Sequence, residues 1–303
     1  MNASSAIVAL SAAFHGWTFD PLVVGGIGAL GAAYAIGVRR LWRPGRSARW
    51  SSPGAPWRAV SFAAGLAAIV AAVLSPLDER SAELLSAHMV QHLLLVVVAA
   101  PLLVLGAPAV PLLLALPVRW RRRVHTLGAR APITALRRAL TNPLVVWSLH
   151  VAALWSWHVP SLYDAAVRND ALHALEHASF FGTAVLFWWV VFDPAGRRRL
   201  GTGRDILYVF TAGLQSAALG ALFTFAATPL YPPYASVAHR IGVSALRDQQ
   251  VAGLVMWIPA GVVYLGAAAG LFVRWLRAVE AETTRNERRG QEQQGGVPIR
   301  VAP

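Results

Sequence analysis

Seven stretches of the chain are apolar along most of their length: residues 22–41, 59–77, 83–105, 143–159, 171–192, 206–226 and 250–275. A hydrocarbon core of about 30 Å takes roughly 20 such residues as helix, at a rise of about 1.5 Å each. Each stretch is therefore predicted to be a transmembrane span. Residues 110–116 are also apolar but too few to cross, and are predicted to lie at the interface. The pattern predicts an all-α polytopic membrane protein with seven transmembrane helices.

The polar connections set the orientation. All 27 basic residues are Arg; 23 of them follow the first, third, fifth or seventh span, and only Arg80, Arg168, Arg240 and Arg247 fall on the other side. Under the positive-inside rule the N-terminus is outside and the C-terminus is cytoplasmic. An odd number of spans requires the same arrangement. Residues 1–14 have no basic n-region ahead of their short apolar run, so they are expected to be an external tail and not a cleaved signal. From about Ala281 the chain is rich in Glu, Gln, Arg and Gly. A membrane domain over residues 1–280 and a disordered cytoplasmic tail over 281–303 are expected.

Composition agrees and narrows the chemistry. The chain is 56% apolar and 14% charged, with a mean hydropathy of +0.50, whereas soluble domains carry about a quarter charged residues. The net charge of +13 lies in the inner connections. There it suits anionic lipid headgroups, and no nucleic acid partner is expected. Cysteine is absent, which excludes disulfides, thiolate metal sites and a cysteine nucleophile. Any metal must be held by His, Met or carboxylate.

Nine histidines are present, and only His125 falls in a cytoplasmic connection. His15, His88, His92, His150, His158, His173, His177 and His239 lie on the outer side or within the membrane; inside a span an ionisable residue is costly and marks function, while His15, His239 and His125 read as ordinary loop residues. His88 and His92 are spaced i, i+4 and share one face of the third span; His173 and His177 repeat this on the fifth. Counted from the outer ends of their spans, His88 and His92 lie roughly 8 and 14 Å deep, His150 roughly 13 Å, and His173 and His177 roughly 3 and 9 Å. His158 sits near the surface. His88, His92, His158, His173 and His177 are the candidate metal ligands, with His150 and Met256 as further candidates. The other reading of His150 is a helix–helix hydrogen bond, and that of Met256 a gap filler. Met89 points about 100° away from His88 around its helix and need not join the site.

The segment His173-Ala174-Leu175-Glu176-His177 also spells the inverted zinc-peptidase motif H-x-x-E-H. Glu176 is expected either to orient a ring nitrogen as its hydrogen-bond acceptor or to face water at the helix start. Gln215 and Ser216, mid-span, are expected to hydrogen-bond to neighbouring helices. Asp248 is expected to cap the seventh helix.

Several strings together resemble one family. They are Trp17-Thr18-Phe19-Asp20-Pro21, Ser75-Pro76-Leu77-Asp78, His88-Met89-Val90-Gln91-His92, Gly106-Ala107-Pro108, Trp157-His158-Val159-Pro160-Ser161-Leu162-Tyr163-Asp164-Ala165-Ala166, His173-Ala174-Leu175-Glu176-His177, Tyr231-Pro232-Pro233-Tyr234-Ala235, and Asp248-Gln249-Gln250 running on to Trp257. In this order, from Trp17 to Leu276, they are similar to the multi-span CtaG-like cytochrome c oxidase assembly factors. The resemblance implies a multi-pass protein of the bacterial plasma membrane, needed to mature a haem–copper oxidase, with cytochrome c oxidase subunits as partners and copper handled at the outer face. It implies no enzymatic turnover. A single-span copper chaperone shares the family's name but uses a cysteine motif, which this chain lacks.

Imidazole and thioether ligands suit copper. Two other readings stay open on the residues alone: a seven-span zinc hydrolase using three His and a bound water, and a b-type haem carrier with facing axial His.

Overall fold

The computed structural model describes residues 16–42, 55–192, 203–234 and 241–295; His15, His239 and the chain beyond residue 295 lie outside them. The described secondary structure is helical throughout, with no strand. In chain order the helices are α1 (Pro21–Leu41), α2 (Ala55–Val73), α3 (Pro76–Ser81), α4 (Leu85–Leu93), a π-helical turn (Leu94–Ala99), α5 (Ala100–Leu105), α6 (Ala109–Ala115), α7 (Val118–Gly128), α8 (Ala131–Ala139), α9 (Pro143–Trp157), α10 (Pro160–Val167), α11 (Asp170–Phe192), α12 (Arg204–Thr224) and α13 (Ala245–Gly295).

Among the described residues six helices are long and apolar enough to cross a membrane: Pro21–Leu41, Pro56–Val73, the continuous Leu85–Leu105, Asp170–Phe192, Arg204–Thr224 and Ala245–Glu287. The predicted fourth span is shorter. As α9 it has 15 residues, about 22 Å at the α-helical rise. Pro160 explains the early end: the residue before a proline is pushed out of the helical region, and Val159 is extended at ψ 125°. Residues 281–295, expected from composition to be without order, continue α13 as helix, with exposed side chains up to Glu287.

The third span is not a uniform α-helix. At its π-helical turn the Ala100 N–H bonds back five residues to the Leu95 carbonyl. In that register the Val96 carbonyl would take its proton from residue 101, which is Pro101 and has none. Trp188 of α11 supplies the missing donor, with its indole Nε1 donating to Val96 O at 2.9 Å. A sequence fault in one span is thus repaired by a side chain of another, which pins α11 against the third span. Trp188→Phe keeps the ring and removes the donor, and is expected to cost about 1–3 kcal/mol, read as a lower Tm of the purified protein in detergent.

Three glycines set close helix approaches. A Cβ on Gly253 would lie 2.5 Å from the Gly220 carbonyl oxygen, and one on Gly220 would lie 2.8 Å from that of Gly253, so α12 and α13 pack backbone to backbone. A Cβ on Gly37 would fall 1.9 Å from Pro111 O. The apolar run predicted to lie at the interface is therefore α6, packed on the last turns of α1. Arg40 closes the contact by donating to the α6 C-terminal carbonyls of Leu114, Ala115 and Leu116. Gln215 and Ser216 bond across helices as expected, accepting from Trp155 Nε1 at 3.1 Å and donating to Met256 O at 3.4 Å.

Candidate metal centre

The spacing of the histidine pairs makes each a local face, and helix packing brings the two faces together. His88 and His92 sit on α4, His173 and His177 in the first turns of α11, and His158 caps the C-terminal end of α9. These three helix ends meet at one end of the bundle. Ring centroids lie 4.3 Å apart for His88–His92, 4.2 Å for His173–His177, 5.2 Å for His88–His173 and 5.2 Å for His92–His177. The two pairs form one cluster.

Two groups of ligand atoms lie within 4.8 Å of one another: His88 with His173 and His177, and His88 with His92 and Glu176. His88 belongs to both. In the second group the nitrogens His88 Nε2 and His92 Nε2 are 2.9 Å apart, and Glu176 oxygens lie 3.8 Å from the first and 3.7 Å from the second. Ligands about 2.0–2.1 Å from a tetrahedral ion stand about 3.3–3.4 Å from each other. The observed separations bracket that value.

The bonding around the cluster leaves its donors bare. Both Glu176 oxygens, His92 Nδ1, His173 Nε2 and His177 Nε2 are buried without a hydrogen-bond partner. Glu176 is fully buried, so it does not face water, and its oxygens stand 3.8 and 3.7 Å from His88 and His92 Nε2 without a hydrogen bond. An isolated carboxylate in such a place is expensive, and a cation shared with the imidazoles would offset the expense. The donor set fits a metal of the zinc or copper type, which takes nitrogen and a single carboxylate oxygen.

The tautomer of His88 follows from its neighbours. The Tyr234 hydroxyl donates to Ser81 O at 2.9 Å, so towards His88 Nδ1, 3.0 Å away, it acts as acceptor. Nδ1 then carries the proton and Nε2 presents its lone pair to His92 and Glu176, the arrangement a metal-binding imidazole requires. Tyr163 supports Tyr234 at 3.3 Å, and Tyr231 donates to His158 O at 2.8 Å. This tyrosine cage is not visible in the sequence, because Tyr163 and Tyr234 meet across 71 residues and Tyr234 meets His88 across 146.

The other candidates stand apart. His158 Nδ1 donates to Leu154 O at 2.7 Å and its Nε2 is buried and unpartnered; its ring is 6.3 Å from His92, beside the cluster and in neither group. His150 lies deeper, with Nδ1 3.2 Å from Thr183 Oγ1 and Nε2 3.4 Å from Tyr264 Oη, which is the helix–helix bonding role. Met256 is buried with Met89 and the three tyrosines and belongs to neither ligand group. His125 is exposed on α7.

Asp248 does not cap the seventh helix. It lies inside α13 and its carboxylate reaches α4, accepting from Leu85 N at 2.7 Å and from Ser86 N at 3.3 Å and bonding Ser86 Oγ. The residue at the start of α4, Leu84, has no side chain able to cap, so α13 caps α4 from outside. Gln91, between the two α4 histidines, donates to Ala72 O at 2.9 Å and Asp78 Oδ1 at 2.8 Å. These two contacts fix the helix that presents His88 and His92.

The comparison with known families is decided over most of the chain: residues 32–278 match the cytochrome c oxidase caa3 assembly factors. The chain belongs to that family. All described candidates, from His88 to Met256, lie inside the matched region. Relatives described as uncharacterized proteins of Mycobacterium bovis and Mycobacterium tuberculosis are each 29% identical over 280 residues, covering 90% of this chain and 41% of the relative. One of Mycobacterium leprae is 26% identical over 283 residues, covering 91% of this chain and 42% of the relative. The chain thus spans about two fifths of the length of these curated relatives. No solved structure matches it.

Proposed function

We propose that this caa3 assembly factor binds copper through His88, His92, His173 and His177, with Glu176 as a direct ligand, and delivers it to a maturing cytochrome c oxidase at the outer face of the bacterial plasma membrane. The observation that carries the reading is the pair of three-ligand groups sharing His88, in which both Glu176 oxygens and the Nε2 atoms of His173 and His177 are buried without a partner. Two overlapping groups suit a carrier, because an ion can change ligands stepwise while His88 stays bound. The test is a deletion strain. It should make the oxidase polypeptides with low activity and low copper, partly restored by excess copper; normal activity and copper content in a strain without a paralogue rejects the reading.

The outer location rests on seven crossings. The 15-residue α9 counts as the fourth, since it follows the Arg-rich α7 and α8 and ends at His158 among the site residues. Local thinning of the bilayer accommodates a short span at modest cost. Reporter fusions should read cytoplasmic after Arg123 and extracytoplasmic after Ser236, and the reverse at either point removes the site from the outer face.

One observation favours zinc hydrolysis as a second reading: His88, His173 and His177 form a three-His group with the Glu176 carboxylate beside it, the parts of a zinc-bound water and its general base. Haem fits poorly. The imidazoles touch one another and leave no slot between them, and the cavity beside them is about 50 Å³, small against the ~300–1,000 Å³ of ligand pockets.

A further inference from the structure

Beside the histidine cluster, and farther into the bundle, a cavity of about 50 Å³ opens among α4, α9, α11, α12 and α13. Met89 and His92 of α4, His158 at the end of α9 and Met256 of α13 all line it. The chain has three methionines; Met1 lies outside the described residues, and the two others face this one cavity from helices far apart in sequence. A methionine that merely fills a gap leaves none. These two border open space.

The nitrogen donors are equally specific. His158 is 5% exposed, and because its Nδ1 proton is given to Leu154 O, its Nε2 lone pair is free, buried and without a partner. His92 is 7% exposed and lines both the cluster and the cavity; its Nε2 faces His88 and its Nδ1 has no partner. His150 also borders the space but has both nitrogens engaged. The remaining lining is largely apolar, with Leu93, Val96 and Phe180 among it and no carboxylate. A divalent ion that prefers carboxylate finds none here, with Ser216 and Tyr264 hydroxyls as the side-chain oxygens in the lining, whereas Cu(I) takes soft donors. A water needs about 10–15 Å³ of such space, so the volume admits a bare ion.

We infer that this cavity is a second metal station, selective for a soft monovalent ion, in which Cu(I) is held by His158, His92 and the thioethers of Met89 and Met256. The inference rests on the reading that the protein handles copper and adds what that reading lacks, a site that distinguishes Cu(I) from divalent ions. His92 borders both stations, so a single imidazole separates the His/Glu centre from the cavity.

X-ray absorption of the purified full-length chain, labelled with selenomethionine and loaded anaerobically with Cu(I) or separately with Zn²⁺, tests it. Selenium is expected in the Cu(I) shell and absent from the Zn²⁺ shell. The selenium signal should vanish in M89L/M256L, a nearly volume-conserving change that retains Met1 and should retain Zn²⁺. Where the double variant fails to insert, M89L and M256L singly should each reduce the signal. Cu(I) bound by nitrogen and oxygen alone in the wild-type chain overturns the soft station and leaves the copper reading standing. Binding of neither ion overturns the copper reading itself, and the station with it.

Discussion

Replacing His88 and His92 together by alanine should empty the His/Glu centre, read as the loss of bound Zn²⁺, which the cavity beside it does not take, and leave a stably inserted chain unable to support oxidase maturation. His88 is common to both ligand groups, so its loss leaves His173 and His177 without their third partner and Glu176 without any group of three. Changes to residues that only orient a metal ligand cost about 10–100-fold in affinity, and removing two ligands outright should exceed that. The single variants make the argument sharper. His92→Ala leaves the group of His88, His173 and His177 intact and should keep part of the metal, whereas His88→Ala breaks both groups and should behave like the double variant. His125→Ala, on the exposed face of α7, is the control and should bind metal normally. The Zn²⁺ content of the purified variants decides it, and equal Zn²⁺ in His125→Ala and the double variant rejects this ligand set.

What was legible beforehand was local. The i, i+4 pairing of His88 with His92 and of His173 with His177 follows from helical geometry alone, and the apolar runs marked the long helices because bilayer thickness dictates helix length. The α9 helix is the exception. Its apolar run continues to Val159, but Pro160 ends the helix at Trp157, a backbone effect that hydropathy does not register. Contacts distant in sequence could not be read. Tyr234 meets His88 across 146 residues, and Asp248 meets Leu85 across 163. An aspartate beside the start of an apolar run looks like that helix's own cap. Only the packing of α13 against α4 reveals that it serves another helix. Glu176 illustrates the same limit, since the register of α11 against α4, set in part by Trp188 on Val96, decides that its carboxylate turns inward between two imidazoles.

Glu176→Gln is the substitution that separates carrier from hydrolase. The side chain keeps its size and an oxygen donor but loses its charge, and in the carrier reading that carboxylate is a ligand in the group with His88 and His92, its oxygens 3.7 and 3.8 Å from His92 and His88 Nε2. Its loss should weaken metal binding by at least about 10-fold and lower oxidase maturation in proportion, with excess copper restoring part of it. In the hydrolase reading Glu176 is the base that activates a water on an ion held by His88, His173 and His177. Glutamine cannot take a proton, so metal content should then stay at the wild-type level while function is lost, and added copper should not help. The two outcomes differ in the metal retained by one purified variant. Tyr234→Phe supplies a second comparison, because it removes the acceptor for His88 Nδ1 without touching Glu176. As an orienting partner lost, it should cost about 10–100-fold in affinity in either reading. An effect of Glu176→Gln on metal content as large as that of Tyr234→Phe therefore assigns the carboxylate to the metal, and no effect assigns it to the chemistry.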